Sequence, residues 1–310
     1  MMAAIMNTPI RTGANRRIRE YLRRGAATLD AEACCRIGDF VLSRFNGDGG
    51  VRGRGSESDL YYTVFGLECA LALGVEIPSS TKSFLEAAVA SELDFIHAAC
   101  LLRSLEIAWP DYAVEYPDWH QSLRLRIEAH ACKKGGFHGK MGRPRGSVYD
   151  TFLGMLACES LGLPFPDAPQ TSSLLDSLHR DGGGFVNQRK WEAATTPVSA
   201  AALGIFWELG HPAPNGSLPW LIQRCSRQSG FAAAPLVPVP DLLSTATALH
   251  ALSQFNSLPP EITDRCLDFV IGLWDESGGF VGHALDRTPD CEYTFYALLA
   301  LGNLAPVSVS

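Results

Sequence analysis

The 310-residue chain carries little charge: Asp, Glu, Lys and Arg make up 19% of it against 46% hydrophobic residues, and the balance is acidic, with a formal net charge of -7. Recognition of a phosphate backbone needs a basic surface, so nucleic acid is excluded as a general partner. Nine cysteines are present, yet no C-x-x-C spacing occurs, which excludes a zinc ribbon or a thioredoxin-like redox motif. Cys34 and Cys35 are adjacent, the number is odd, and Cys69, Cys100, Cys132 and Cys158 stand inside apolar helical patterns. They read as reduced core residues. Apolar runs such as Leu67 to Leu73 are far too short to span a bilayer. No segment alternates apolar and polar residues long enough to suggest a sheet. The mildly apolar Met1 to Ile10 precedes Arg11, Arg16, Arg17 and Arg19 and has no small-residue cleavage site, so it reads as no signal peptide. The expectation is one soluble, cytoplasmic domain.

What the chain has is internal repetition. Gly136 with Thr151, Gly184 with Ser199, Gly230 with Thr245 and Gly279 with Thr294 are glycine and hydroxyl pairs at one constant separation, and Gly50 with Thr63 is a shorter first copy. Asp59-Leu60-Tyr61-Tyr62-Thr63 mirrors Asp290-Cys291-Glu292-Tyr293-Thr294. The wide gap between Thr63 and Thr151 leaves room for one copy without a glycine turn, near Asp94 to Leu105, which makes six copies. Repeats of this length stack as supersecondary units.

Each unit reads as an outer helix, a glycine loop and an inner helix. Inner helices are predicted at 60–73, 96–106, 148–161, 198–209, 242–255 and 293–304, apolar nearly all round and therefore buried. Outer helices are predicted at about 81–90, 117–132, 171–179, 218–227 and 261–274, with one or two more between Asn15 and Phe45. Prolines such as Pro164, Pro166, Pro212 and Pro259 separate the units. An open superhelix would expose a hydrophobic concave face, so closure is favoured. The fold class is all-α, an (α/α)6 toroid over 46–304, with N-terminal outer helices in 1–45 and a tail at 305–310.

Gly-Gly-Phe, a polar loop, a carboxylate and then Tyr-Thr-Phe-Tyr-Ala-Leu (Gly278 to Leu298) resembles the repeat of protein prenyltransferase β subunits and, more distantly, of terpenoid cyclases. The resemblance implies an α-α toroid around an apolar funnel, an isoprenoid diphosphate substrate and a helical α-type partner subunit. It also implies a zinc site that turns the acceptor cysteine into a thiolate. In register the ligand positions are Asp241, Leu243 and Tyr293, so two of the three donors are absent and the site is degenerate; no cofactor is firmly implied. Asp290, Cys291, Glu292 and His283 form a weak substitute metal set beside Asp241. The family's diphosphate-binding loop matches Ala232 to Pro238, which has no basic residue. Lys140, Arg143 and Arg145 in one glycine loop and Arg189 and Lys190 in the next are the candidate replacements.

A protonating terpenoid cyclase uses an Asp-x-Asp-Asp acid, which is absent; Asp290 and Glu292 on one helix start are the nearest substitute. The Cys-Gly-Glu-Gln of complement thioester toroids is absent too. A paired-carboxylate glycosidase is less favoured, because the Gly-Gly-Phe turns point to the isoprenoid branch. The functional expectation is therefore a prenyltransferase-like protein acting on or binding an isoprenoid. The alternatives are a cyclase using a rim carboxylate and a non-catalytic isoprenoid-binding scaffold. Asp241, Asp290, Glu292 and Tyr293 are the candidate catalytic residues. Phe152, Phe206, Trp207, Phe295 and Tyr296 are the candidates to line a central apolar cavity.

Overall fold

The computed structural model describes residues 13–306 except 166–167, 192 and 227–228. Met1 to Ile10, Arg11, Pro166 and the Arg227 end of one expected outer helix lie outside the described residues. Helix α1 (Ala14–Ala26) comes first. Outer α2 (Ala31–Ser43) leads to inner α3 (Leu60–Leu73), and α4 (Thr81–Val89) leads to α5 (Phe95–Ala108). After a single turn, α6 (Tyr112–Glu115), α7 (Pro117–Glu128) leads to α8 (Val148–Ser160) and α9 (Ala168–Leu178) to α10 (Thr196–Glu208). Outer α11 (Ser217–Ile222) reaches α12 (Leu242–Gln254) across β1 (Phe231–Ala232) and β2 (Pro240–Asp241), an antiparallel pair. The last pair is α13 (Pro260–Ile271) and α14 (Cys291–Leu304). Inner helices pack in order, α3 on α5, α8, α10, α12 and α14, and α14 returns to α3. The ring is closed, an all-α toroid of six hairpins, and the repeat without a glycine turn is α5.

One hydroxyl per glycine repeat ties turn to helix. Thr63 Oγ1 accepts from Val51 N at 2.9 Å and donates to Asp59 O at 2.7 Å. Ser199 does the same between Phe185 N and Thr195 O, Thr245 between Phe231 N and Asp241 O, and Thr294 between Phe280 N and Asp290 O. Thr151 accepts from Phe137 N at 3.0 Å and donates to Ser147 O. All five are buried, and each bond satisfies a backbone N–H that has no helix or sheet partner. The Phe that follows each later turn (Phe137, Phe185, Phe231, Phe280) is fully buried, which contributes about 1.5–3 kcal/mol apiece. Gly278 is confined to glycine twice over: its φ is 98° and an added Cβ would lie 2.3 Å from Arg36 O on α2.

Helix α1 departs from the outer-helix expectation. It packs on inner helices α14, α3 and α8, closing one end of the ring, whereas α2 packs as an outer helix on α3. Two of its arginines, Arg17 and Arg19, meet carboxylates of the inner helices. Arg19 reaches Glu68 at 3.1 Å and Glu106 at 2.6 Å, Arg17 pairs with Glu208, and Asn15 N donates to Glu159 at 2.8 Å. Glycines bring α1 and α14 together: a Cβ on Gly302 would lie 1.8 Å from Tyr21 O, and one on Gly25 2.0 Å from Leu298 O.

Thr151→Val keeps the shape but strands the Phe137 N–H, and should cost about 1–3 kcal/mol in urea denaturation. Gly302→Ala should cost more, on the order of 3 kcal/mol, by prising α1 from α14. Gly47→Ala, where nothing lies within 4 Å of an added Cβ, is the control and should change stability little. Equal effects at Gly302 and Gly47 would remove α1 from the ring.

Candidate active site

The second residues of the six inner helices, Tyr61, Ile96, Tyr149, Pro197, Leu243 and Glu292, occupy one register position, and the N-termini that carry them are linked loop to loop. Val148 N bonds Asn187 O, Thr196 N bonds Ala233 O, and Leu242 N bonds Gly282 O, each in the next repeat. Tyr61, Ile96, Tyr149 and Pro197 line a central cavity of about 130 Å³ that touches α3, α5, α8, α10, α12 and α14, with Ala14 and Ile18 of α1 closing it. Phe152, Phe295 and Tyr296 line it as expected. Phe206 and Trp207 do not. The axis face of α10 is Ala200, Ala201 and Gly204, and at 100° per residue Phe206 turns toward Phe185 and Trp207 packs edge-on to Phe255 at 5.2 Å.

Glu292 is the one carboxyl in that second-residue set. Tyr61 OH donates to its Oε1 at 2.7 Å. Burial pushes its pKa above the ordinary carboxylate value and Asp290 adds to this, while the Tyr61 bond and Arg54 pull the other way. Burial likewise raises the phenols of Tyr61, Tyr149 and Tyr296, so they stay protonated donors. The remaining rim candidates have structural duties. Asp290 is 1% exposed and caps α14 through Tyr293 N at 2.9 Å, and Arg54 of the first repeat bonds it at 3.1 Å and Asp286 at 2.6 Å. The Tyr293 ring lies under the Arg54 guanidinium and over Gly282, as Tyr62 lies over Gly53. Asp241 caps α12 through Ser244 N at 2.7 Å and Ser244 Oγ at 2.8 Å, and burial raises its pKa.

The substitute metal set does not assemble. Cys291 points into the core with no exposure, its thiol pushed up to about 12 by burial. His283 Nδ1 accepts from Leu285 N. Among the described residues no three His, Cys, Asp or Glu side chains stand where they could hold a metal ion. At the family's ligand positions Leu243 has no donor atom and Tyr293 is engaged by Arg54, so these residues do not fit zinc. Cys69, Cys100 and Cys158 are buried free thiols, Cys132 is half-buried and Cys35 is exposed.

Lys140, Arg143, Arg145, Arg189 and Lys190 all converge, but on a groove of about 400 Å³ beside α9 that shares no lining residue with the central cavity. Residues that the sequence did not mark lie deeper. Glu68 bridges Arg103 at 2.9 Å and Arg19 in the buried wall, and a lone acid in the apolar run of α3 was the signal for it. His250 and Gln254 line the cavity near α1. Burial, opposed by Asn303 and aided by the Arg17 charge, holds the His250 imidazole down at about 4, from 6.5. Between those values the unfolded chain binds a proton that the folded chain refuses. The contribution is therefore intact above pH 6.5 and is lost as pH falls toward 4. Urea midpoints measured from pH 7 to pH 4.5 should fall less steeply in His250→Gln than in the parent; parallel curves would mean the imidazole is not held neutral.

No family model and no curated protein matches the chain. Among solved structures, a protein from Actinoplanes is 16% identical with a TM-score of 0.63, covering 89% of this chain and 99% of its own. Protein geranylgeranyltransferase-I from Candida albicans, complexed with GGPP, is 13% identical with a TM-score of 0.55, over 96% of this chain and 85% of that one. A variant of the type II terpene cyclase MstE from Scytonema, in complex with geranylgeranyl dihydroxybenzoate, is 12% identical with a TM-score of 0.59, over 92% and 97%. At these identities the likeness is one of fold alone: the chain shares the all-α toroid of these solved structures.

Proposed function

We propose that the chain acts on an isoprenoid in the central cavity by acid-initiated cyclisation, with Glu292 as the general acid. The observation that carries this reading is the Glu292 carboxyl, bonded at 2.7 Å by the cavity-lining Tyr61 and raised in pKa by burial. Burial that raises the pKa keeps the carboxyl protonated to higher pH than an ordinary one, and a protonated carboxyl can donate to an alkene. The proton leaves the Glu292 oxygen, the alkene π pair forms the new C–H bond, and a carbocation results. Ring closure consumes a second alkene, and loss of a proton from the last cation balances the reaction. Glu292, which is only half-buried, regains its proton from solvent. The faces of Phe65, Phe152, Phe295 and Tyr296 line the cavity and stabilise passing positive charge through their quadrupoles. A C15 or C20 chain needs several times 130 Å³, so binding carries side-chain movement of Phe152 and Phe295 with it.

Prenyl transfer in the manner of a β subunit with a helical α-type partner draws on the same cavity. It lacks a group to make the acceptor nucleophilic, because Asp241, Leu243 and Tyr293 do not fit zinc.

The test is incubation with labelled farnesyl and geranylgeranyl diphosphates and a prenylated aromatic. A cyclised isomer of unchanged mass is expected. Transfer of label to an added protein, or recovery of unchanged substrate, would remove the cyclase reading. Glu292→Gln should lower turnover roughly a hundred- to ten-thousandfold with binding retained. Turnover should fall as pH rises through the Glu292 pKa, with its descending limb above the ordinary carboxylate range. Tyr61→Phe removes a bond that favours the ionised form, so the limb should move to higher pH; movement to lower pH would exclude Glu292 as the acid.

A further inference from the structure

We infer that the groove between the glycine loops at 133–147 and 180–195 is an anion site that binds a phosphate-bearing ligand independently of the central cavity. Its walls are Lys140, Arg143 and Arg145 from one loop and Arg189 and Lys190 from the next, with His138 and Gln188 beside them and Leu174 and Leu178 of α9 at its base. Five cations stand together on a chain whose net charge is -7. Among the described residues none of the five forms an ion pair, although carboxylates elsewhere recruit Arg17, Arg19, Arg54, Arg103 and Arg124. Asp150, which acts on His138 of the groove, has its Oδ2 occupied by Gly139 N and Ser147 Oγ.

Both walls are fixed. Lys134 N bonds Pro144 O, Gly146 N bonds Gly135 O, Arg180 Nη2 bonds Trp191 O, and Asn187 ties the second loop to the start of α8 through Val148 N and Tyr149 N. The charges are therefore gathered by the backbone before any ligand arrives, which lowers the ordering cost of binding. His138 Nδ1 accepts from Lys140 N at 2.9 Å, which places the ring proton on Nε2 as a donor. Burial lowers the pKa of that ring, Asp150 opposes this, and Arg143, Lys140 and His130 add to the lowering.

Volume and charge density select the ligand class. A groove of about 400 Å³ is the size of a small-molecule site, and three guanidiniums with two ammoniums match a multiply charged oxyanion that has many acceptor oxygens. An acidic peptide spreads single charges about 3.4 Å apart along an extended chain and would want a stripe instead. The lining is disjoint from that of the central cavity, so the site does not rest on the isoprenoid reading.

Calorimetric titration of the full chain with inorganic pyrophosphate at low salt tests this. Binding is expected to weaken at least tenfold in Arg143→Ala with Arg189→Ala, to weaken as ionic strength rises, and to be unchanged in Phe152→Trp, which fills the cavity. Thermal melts establish that the variants fold. Geranylgeranyl diphosphate distinguishes the sources of the phosphate: in Phe152→Trp, where the cavity is filled, equal affinity for it and for pyrophosphate supports a groove reading the anion alone. Pyrophosphate binding that is weakened in Phe152→Trp would overturn the independence of the two sites. No binding of pyrophosphate, binding insensitive to the double variant, or arginine-dependent binding of poly-glutamate in its place would each overturn the phosphate assignment.

Discussion

Five buried hydroxyls hold the architecture. A glycine turn that enters an inner helix leaves one backbone N–H, that of Val51, Phe137, Phe185, Phe231 or Phe280, facing the interior with no sheet or helix partner. A Thr or Ser one turn into the helix takes that N–H and passes its own proton to the cap residue carbonyl. An unmade bond there costs about 1–3 kcal/mol, against a total stability of 5–15 kcal/mol for a domain. The copy without a turn confirms the logic: α5 carries Ala98 at the same register, buried with no hydroxyl, because there is no stranded N–H to satisfy. Fixing the turn also fixes the following aromatic in the core, which sets the spacing between outer and inner layers.

Closure of the ring is a separate problem, because the first and last repeats meet without a connecting chain. Two devices solve it. Arg54, in the loop of the first repeat, bonds Asp286 and Asp290 of the last, and Tyr61 bonds Glu292 across the same seam. At the opposite end α1 is drawn in by Glu68, Glu106, Glu159 and Glu208 and seated on α14 by the Gly25 and Gly302 contact. Taking Glu68 and Arg103 out of water is expensive unless both are well bonded. Glu68 accepts from two arginines, so the arrangement favours one seating of α1 over sliding alternatives.

The fold was legible because its signal is periodic. Glycine and hydroxyl pairs at constant separation survive substitution, since the hydrogen bond needs only Ser or Thr, and the inner helices fall within three residues of their expected limits. Helix α1 was misread because arginines between apolar residues look the same whether they face solvent or buried carboxylates, and their partners are 49 to 191 positions away. Phe206 and Trp207 were misread because size alone does not give azimuth. The register was already in hand, and counting two residues past each cap would have found Tyr61 and Tyr149. The convergence of Arg143 and Arg189 was not readable, since it depends on how two loops fold over α9.

The mirrored first and last repeats show where such a ring can acquire chemistry. Tyr62 and Tyr293 match in sequence and in duty, each lying over a loop glycine, and Asp59 and Asp290 both cap their helices. What differs is the second residue of the helix, cavity-lining Tyr61 in one and its hydrogen-bond partner Glu292 in the other. That position is free to vary because neither the hydroxyl bond nor the turn uses its side chain. The same holds for the loop tips that carry Lys140, Arg143, Arg189 and Lys190. Residues shared between repeats serve folding, and those that break the repeat are free to serve the cyclase and anion-binding roles proposed above. Glu292 stands out among them because it combines a broken repeat, a half-buried carboxyl and a phenol donor at 2.7 Å, three conditions that a structural cap such as Asp241 does not meet together.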